Sequence, residues 1–406
     1  MQANTRLFER NYPKLISFFE KQRSVLVFGP RGTGKTSFLR RLVEARKGRV
    51  VDLLNKEQFR LYLSNPSRLF DEVQQAVKNE GFSGPILVDE IQLIPELLDE
   101  VHRAIEQFKP SVWFILTGSS ARKLKSADAN LLAGRALRVD FFPLDLEELG
   151  ESELLSSLLQ WGTLPEVVTT RDLELREAYL TTYVATYLQE EVQRESQVRN
   201  LAGFSRFLEI AASENGLPVN YKKIARAAGI ADVTVKEYYQ ILQDTLVAHH
   251  IPAWSNSKRE QLQLASKFYL FDNGVINALL GELRSEPRAS TNRYGRLFEN
   301  FIVGQLLQRK AKQDLPVKVY HYRTQASQEI DLILQRNAYA SPVALEIKSS
   351  ALIRAVDVPE VCKFVQRYPE GRALVICPIE KSFEDSGIQF YPVREGIEVA
   401  LKWACE

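Results

Sequence analysis

The octapeptide GPRGTGKT at residues 29–36 restricts this chain more than any other stretch. It follows an apolar run at 25–28 and opens a helical pattern, SFLRRL. Gly29, Gly34, Lys35 and Thr36 fill GxxxxGK[ST], whose meaning depends on this strand–turn–helix setting. Glycines at 29, 32 and 34 let backbone N–H groups face an anion where a Cβ would obstruct, and the N-terminus of the next helix favours the same charge. The expected phosphate cradle is Gly29, Pro30, Arg31, Gly32, Thr33, Gly34, Lys35, Thr36 and Ser37. Lys35 would neutralise the β- and γ-oxygens, and Thr36 would place a hydroxyl on Mg²⁺. ATP with Mg²⁺ is the expected ligand.

Two further apolar runs, at 86–88 and 112–116, each end in a polar turn, and helical patterns lie between them. Alternation of this kind predicts an α/β core with a parallel sheet, whose ligand sits at the carboxyl ends of the strands. The second run ends in Asp89 and Glu90, one suited to hold Mg²⁺ through water and the other to polarise the attacking water. The third ends in TGSS, where Ser119 either contacts the γ-phosphate or caps a turn. Arg135, in LLAGRALRV, is either an arginine finger towards a phosphate, in its own subunit or a neighbour's, or a solvated loop residue. A last strand-like stretch covers 136–142, and the core is expected to end near Gly150.

Residues 151–215 read as a helical, lid-like linker, in which Tyr179, Tyr183 and Tyr187 recur every fourth residue as a packing face is spaced. Residues 216–285 show two helices, 221–228 and 232–244, around a turn at Gly229, with Asp232 as candidate N-cap. Strand-like runs at 246–251 and 268–271 would add a wing. Residues 286–406 read as a separate α/β unit, in the order helix, strand, strand, helix, strand. There Asp331 lies in EIDLIL, and Glu346 and Lys348 lie in ALEIKSS, two apart and so on one face of a strand. The 15-residue spacing between Asp331 and Glu346 suits adjacent strands joined by a hairpin. Two carboxylates with a lysine can hold Mg²⁺ and orient water at a phosphodiester.

Taken together, GPRGTGKTSFLRRL, ILVDEIQ, ILTGSSAR and LLAGRALRVDFFPL resemble the prokaryotic AAA-type ATPases that carry a C-terminal domain of unknown function. The likeness extends through YHYRTQASQEIDLIL and ALEIKSS and so covers most of the chain. It implies an ATPase core, a winged-helix segment and a nuclease-like end. The acid, spacer, acid-x-lysine arrangement also resembles the restriction-endonuclease-like superfamily, with Asp331, Glu346 and Lys348 matching its pattern and Glu299, in GRLFENFIVGQLL, its accessory helix acid. Asp331 and Glu346 would be the metal ligands of that site.

Composition narrows the class further. With 45% hydrophobic and 26% charged residues and a net charge of +2, the chain is expected to be globular, and any nucleic-acid surface must be a local patch. Residues 288–325 offer one, with eight Lys or Arg against Glu299 and Asp314. Three cysteines without CxxC spacing, and four histidines without a metal-ligand partner four residues on, argue against a zinc or disulfide framework. No apolar run approaches the roughly 18 residues needed to cross a bilayer. A cytoplasmic homo-oligomer is expected, acting on DNA or RNA and with no membrane partner. The rival is a nucleotide-controlled switch or scaffold whose nuclease-like domain is inactive and binds protein partners.

Overall fold

The computed structural model describes residues 8–119, 136–150, 153–188, 200–255, 261, 264–324 and 328–406. The N-terminal core is a five-stranded sheet of β1 (Ser24–Phe28), β2 (Arg49–Asp52), β3 (Gly84–Asp89), β4 (Val112–Gly118) and β5 (Ala136–Asp140). The order is β2-β3-β4-β1-β5, and every pairing is parallel. Helices therefore cover both faces, and β1, β3 and β4 are buried along their full length. Alternation sends Leu26, Phe28, Ile86, Val88, Phe114 and Leu116 into one apolar layer and Val25, Val27, Leu87 and Ile115 into the other. The short, partly exposed edge strand β2 is the one strand of the core that the sequence reading missed.

This order puts β4 between the strand that leads into the phosphate loop and the strand that ends in Asp89 and Glu90. Three strand ends thus converge on one crevice, as the alternating pattern predicts.

Short helices follow at Leu146–Leu149, Leu155–Trp161, Pro165–Thr169 and Leu173–Thr182, and the last widens to π geometry over Tyr183–Leu188. Helices Leu201–Ser213, Tyr221–Ala228 and Asp232–Asp244 then precede a hairpin of β6 (Ala248–Ile251) and β7 (Lys267–Leu270). Gly229 ends the middle helix at φ 67, a left-handed position that suits glycine. Asp232 is not the N-cap of the following helix. Ala231 holds that place, and Asp232 sits in the first turn, where its carboxylate accepts from the N–H of Val233.

After the helix Asn273–Leu279, the 21-residue helix Asn292–Lys312 leads into β8 (Lys318–Arg323), β9 (Glu329–Gln335) and β10 (Val343–Ile347). The helix Pro359–Arg367, β11 (Arg372–Ile376), β12 (Phe383–Asp385), β13 (Ile388–Tyr391) and the helix Val393–Cys405 complete the chain. The order β12-β13-β11-β10-β9-β8 makes a mixed sheet, antiparallel from β8 to β10 and parallel from β10 through β11 to β13. Three strands rather than two thus stand between the long helix and the next one.

One apolar core runs without a break from Leu144 through the helical region and the hairpin to Ala404. Backbone bridges Pro218–Lys267 and Ala253–His321 tie β7 to the segment before it and the hairpin to β8. No helix among the described residues is long and apolar enough to cross a membrane.

Candidate functional site

The phosphate loop follows from its backbone. Gly32 and Gly34 lie at φ 75 and 86, and a Cβ on Gly29 would stand 2.1 Å from the carbonyl oxygen of Phe141, so these positions require glycine. The helix Lys35–Glu44 starts directly after Gly34. Lys35 is buried, and its ammonium donates to the carbonyls of Gly29 and of Pro30, the latter at 3.0 Å. Thr33 is also buried and donates to the Pro30 carbonyl at 2.9 Å.

Asp89 at the end of β3 is the hub of a polar cluster beside the loop. Its Oδ1 accepts from Thr36 Oγ1 at 3.2 Å and from Thr117 Oγ1. Its Oδ2 is buried without a protein partner, and burial pushes the carboxyl above its ordinary range. An orphaned carboxylate oxygen beside a threonine hydroxyl fits Mg²⁺, which is held through one or two oxygens with waters and phosphate completing its shell. Glu90 sits at φ 61, outside the range usual for a side-chain-bearing residue, and its N–H donates to Thr117 Oγ1 at 3.0 Å. Gln92 bridges the Glu90 carboxylate to Ser119 Oγ at 3.2 Å, so the ends of β3 and β4 form one polar unit. Arg135 lies outside the described residues.

A cleft of about 630 Å³ opens above the loop, lined by Arg31, Gly32, Gly34, Thr36, Ser37 and Glu90 among others. Its far wall holds Pro165, Glu166, Thr169, Tyr179 and Tyr183, all from beyond the sheet core. Sequence spacing gave the tyrosines a packing role, and Tyr183 is indeed buried in the apolar core with Tyr179 packed against it, but both also face the loop. Tyr183 donates to the carbonyl of Arg31 at 3.0 Å, where the helix takes its π turn, and the Tyr179 hydroxyl lies 2.8 Å from the site of a Gly32 Cβ. The Tyr187 side chain lies outside the described residues. Arg10, also missed, reaches the loop from the N-terminal segment and donates to the Thr33 carbonyl at 2.5 Å. A distant aromatic spacing and a lone arginine carry no local sign of such contacts.

A second polar site lies in the mixed sheet. Asp331 on β9 and Glu346 on β10 are cross-strand neighbours, and the Asp331 N–H faces Glu346 Oε2 at 3.4 Å. Asp331 Oδ2 accepts from the N–H of Ile347 at 2.7 Å, and Lys348 donates to Glu346 Oε1 at 2.6 Å. Glu299 joins them from the long helix, and Asp331, Lys348 and Glu299 line one open cleft of about 680 Å³. The four residues singled out in the sequence therefore meet. Burial first, and the Asp331 charge second, push Glu346 up to about 8 and Glu299 up to about 7.

The sequence did not reveal that the hairpin enters this site. Lys267 on β7, 3% exposed, lies 2.6 Å from Glu329 and 3.7 Å from Glu299. Tyr269, two residues on and so on the same face, donates to Glu299 at 2.6 Å. Among the described residues no three Asp, Glu, His or Cys side chains form a ready metal cage. Asp331 and Glu346 are two carboxyl groups on adjacent strands, the hard oxygen chemistry that suits a cation such as Mg²⁺.

Of the eight basic residues in 288–325, three are taken up in ion pairs, whereas Arg288, Arg296, Lys318 and Arg323 are exposed and Arg296 lines the cleft with Asp331. Lys312 is buried against Asp145 at 2.6 Å and Glu148 at 2.8 Å; Arg309 pairs with Glu147 and Glu398; Arg293 pairs with Glu282 at 2.6 Å. On the helix Asp232–Asp244, Lys236 and Glu237 are exposed and Thr234 is half-buried, with Lys236 placed 5.4 Å over the Tyr221 ring.

Three family models match successive parts of the chain. Residues 21–150 match the AAA domain family, residues 152–286 a domain of unknown function (DUF8612), and residues 294–395 a domain of unknown function (DUF4143). An uncharacterized protein of Mycobacterium tuberculosis is 26% identical over 327 residues, spanning 80% of this chain and 70% of its own. An uncharacterized protein of Haemophilus influenzae is 21% identical over 329 residues, spanning 76% and 80%. Among solved structures, the Aeropyrum pernix ORC1 protein in complex with DNA is similar at 14% identity with a TM-score of 0.30, over 70% of this chain and 94% of that one. The segment that matches the AAA domain family is thus the five-stranded parallel sheet core, and it stands ahead of helices and a C-terminal mixed-sheet domain that matches DUF4143.

Proposed function

We propose that this protein binds and hydrolyses ATP and couples its nucleotide state to a winged-helix segment and a nuclease-like domain that act on nucleic acid. The observation that carries the ATPase reading is the linked set Thr36–Asp89–Thr117 and Glu90–Gln92–Ser119 at the mouth of the phosphate loop. Lys35 meets the β- and γ-oxygens; Thr36 and Asp89 hold the metal side; Glu90 draws the proton from water; Ser119 reports the γ-phosphate through Gln92. Mg²⁺, held by Thr36 and Asp89, would supply charge neutralisation to the phosphates. Arg135 is the proposed finger, and Arg31, Gly32 and their neighbours form the cradle.

In the second domain, Asp331 and Glu346 would hold Mg²⁺, Lys348 would steady the attacking water or the developing charge, and Glu299 would contribute from its helix. The meeting of these four residues, three of them on an open cleft with Glu346 buried beside it, supports a phosphodiester substrate. Lys267, buried among the same acids, instead favours a closed ion network and hence the rival reading of an inactive module that binds protein partners within a homo-oligomer. The deciding experiment measures ATP turnover with and without DNA, and incubates the protein with single-stranded, duplex and branched DNA and with RNA in Mg²⁺ or Mn²⁺. Cleavage by the wild type but not by Asp331→Ala supports the nuclease. Absence of cutting on every substrate leaves the module reading. Absence of ATP turnover under all conditions ends the ATPase reading.

A further inference from the structure

A chain of buried charges runs from the phosphate loop into the C-terminal domain. Besides the Thr33 carbonyl, Arg10 donates to the carbonyls of Phe142 at 2.7 Å and Pro143 at 3.2 Å, and from Nε to Glu148 Oε1 at 3.0 Å. The same oxygen of Glu148 accepts from Lys312 Nζ at 2.8 Å, and Lys312 also meets Asp145 at 2.6 Å. Side-chain exposure is 5% for Arg10, 0% for Glu148 and 3% for Lys312. The Lys312 ammonium stands 4.6 Å over the ring of Tyr12, which stacks on Phe141 at 4.3 Å; Phe141 is the residue whose carbonyl closes on Gly29. Arg10 lines the nucleotide cleft, whereas Glu148 and Lys312 stand behind it.

We propose that Arg10 is a positioning residue for the phosphate loop, and that Lys312 of the C-terminal domain completes the ion group that holds it, so that nucleotide affinity depends on the docking of that domain. The inference rests on the nucleotide-site reading above. A guanidinium is a rigid fork, and here its arms are shared between a loop carbonyl, strand-end carbonyls and one carboxylate. With Lys312 present, Asp145 and Glu148 have a second cation, and Arg10 keeps its hold on Thr33. Without it, two buried carboxylates compete for one guanidinium and draw it off the loop. By linkage, whatever the C-terminal domain does for nucleotide affinity, nucleotide does for the docking of that domain.

The test uses the full chain, titrated with a fluorescent ATP analogue and Mg²⁺. Lys312→Met should raise Kd about tenfold, the size expected for losing one charge-assisted hydrogen bond, while kcat at saturation changes less than about twofold. Lys312→Arg should restore affinity. Arg10→Lys should weaken binding too, and the double variant Arg10→Lys/Lys312→Met should be no worse than the weaker single, because the two act as one unit. A folded Lys312→Met protein with wild-type affinity, or additive losses in the double variant, overturns the proposal. If Lys312→Met fails to fold, amide exchange on the wild type decides: saturating nucleotide should slow exchange along the helix Asn292–Lys312, and no change there overturns the proposal. Failure of the wild type to bind the analogue at all is a different outcome, which removes the nucleotide-site reading itself.

Discussion

Replacing Lys267 with methionine removes a buried ammonium and leaves Glu299 and Glu329 facing each other without their shared cation. Breaking a buried ion pair from one side costs about 3–5 kcal/mol, so the variant should be less stable than the wild type by that amount near neutral pH. The loss should also depend on pH. Glu299 already titrates at about 7 in the folded protein, against an ordinary value of 4.5, so its contribution to stability is complete below 4.5 and is lost as pH rises through about 7. Without Lys267 its folded value moves higher still, and the variant takes up protons on folding over a wider range. Below about pH 7 both proteins hold that proton and lose stability in parallel; above it only the variant keeps it, so the gap between variant and wild type should widen by up to about 1.4 kcal/mol per pH unit from about pH 7 to about pH 8. Urea unfolding followed by tryptophan fluorescence measures it, since Trp254 packs against Tyr322, Phe364 and Tyr368 where the hairpin meets the sheet. A gap that stays constant across that range, or no gap at its alkaline end, would refute the account of Lys267 as the counter-charge of these acids.

Lys35→Ala should weaken ATP binding, whereas Glu90→Gln should bind ATP and stall before hydrolysis; wild-type turnover in Glu90→Gln would remove the role given to that carboxylate. Arg135→Ala should lower turnover by orders of magnitude with far less effect on affinity, and mixing it with Lys35→Ala subunits should restore some activity only if the arginine acts between subunits. Asp331→Ala should abolish any metal-dependent cutting without altering ATP turnover, as judged by the two assays run side by side. Asp272 is buried, caps the helix Asn273–Leu279 and accepts from the Thr163 N–H at 2.6 Å, and burial raises it from 3.8 to about 6. Relative to Asp272→Asn, the wild type should lose about 3 kcal/mol as pH rises from about 4 through about 6, which parallel denaturation curves would reveal.

The parts of this molecule that the sequence made legible are those whose chemistry is local. The phosphate loop, Asp89 with Glu90, and the pairing of Asp331 with Glu346 depend on residues within one turn or on the period of two neighbouring strands, and spacing carries that information. Edge strand β2 escaped because its four residues, with only Val51 buried, have no apolar run long enough to announce them. Tyr183, Arg10 and Lys267 escaped for another reason: each acts on a partner far away in the chain, and nothing beside it in sequence differs from an ordinary packing or surface residue. The same blindness hides part of the basic stretch 288–325, since charge counting cannot see that Lys312 and Arg309 face the acids of residues 145–148.

That acidic turn has a genetic consequence. Asp145, Leu146, Glu147 and Glu148 all meet one face of the long helix, the Leu146 N–H through Gln305 at 2.8 Å and the three acids through Arg309 and Lys312. A recombination event that joined this ATPase core to a different C-terminal domain would bury unmatched carboxylates on one side of the junction and strand two cations on the other. Exchange of modules should therefore have been rare in the history of such chains, and substitutions at 145, 147 and 148 should have been inherited together with those at 309 and 312.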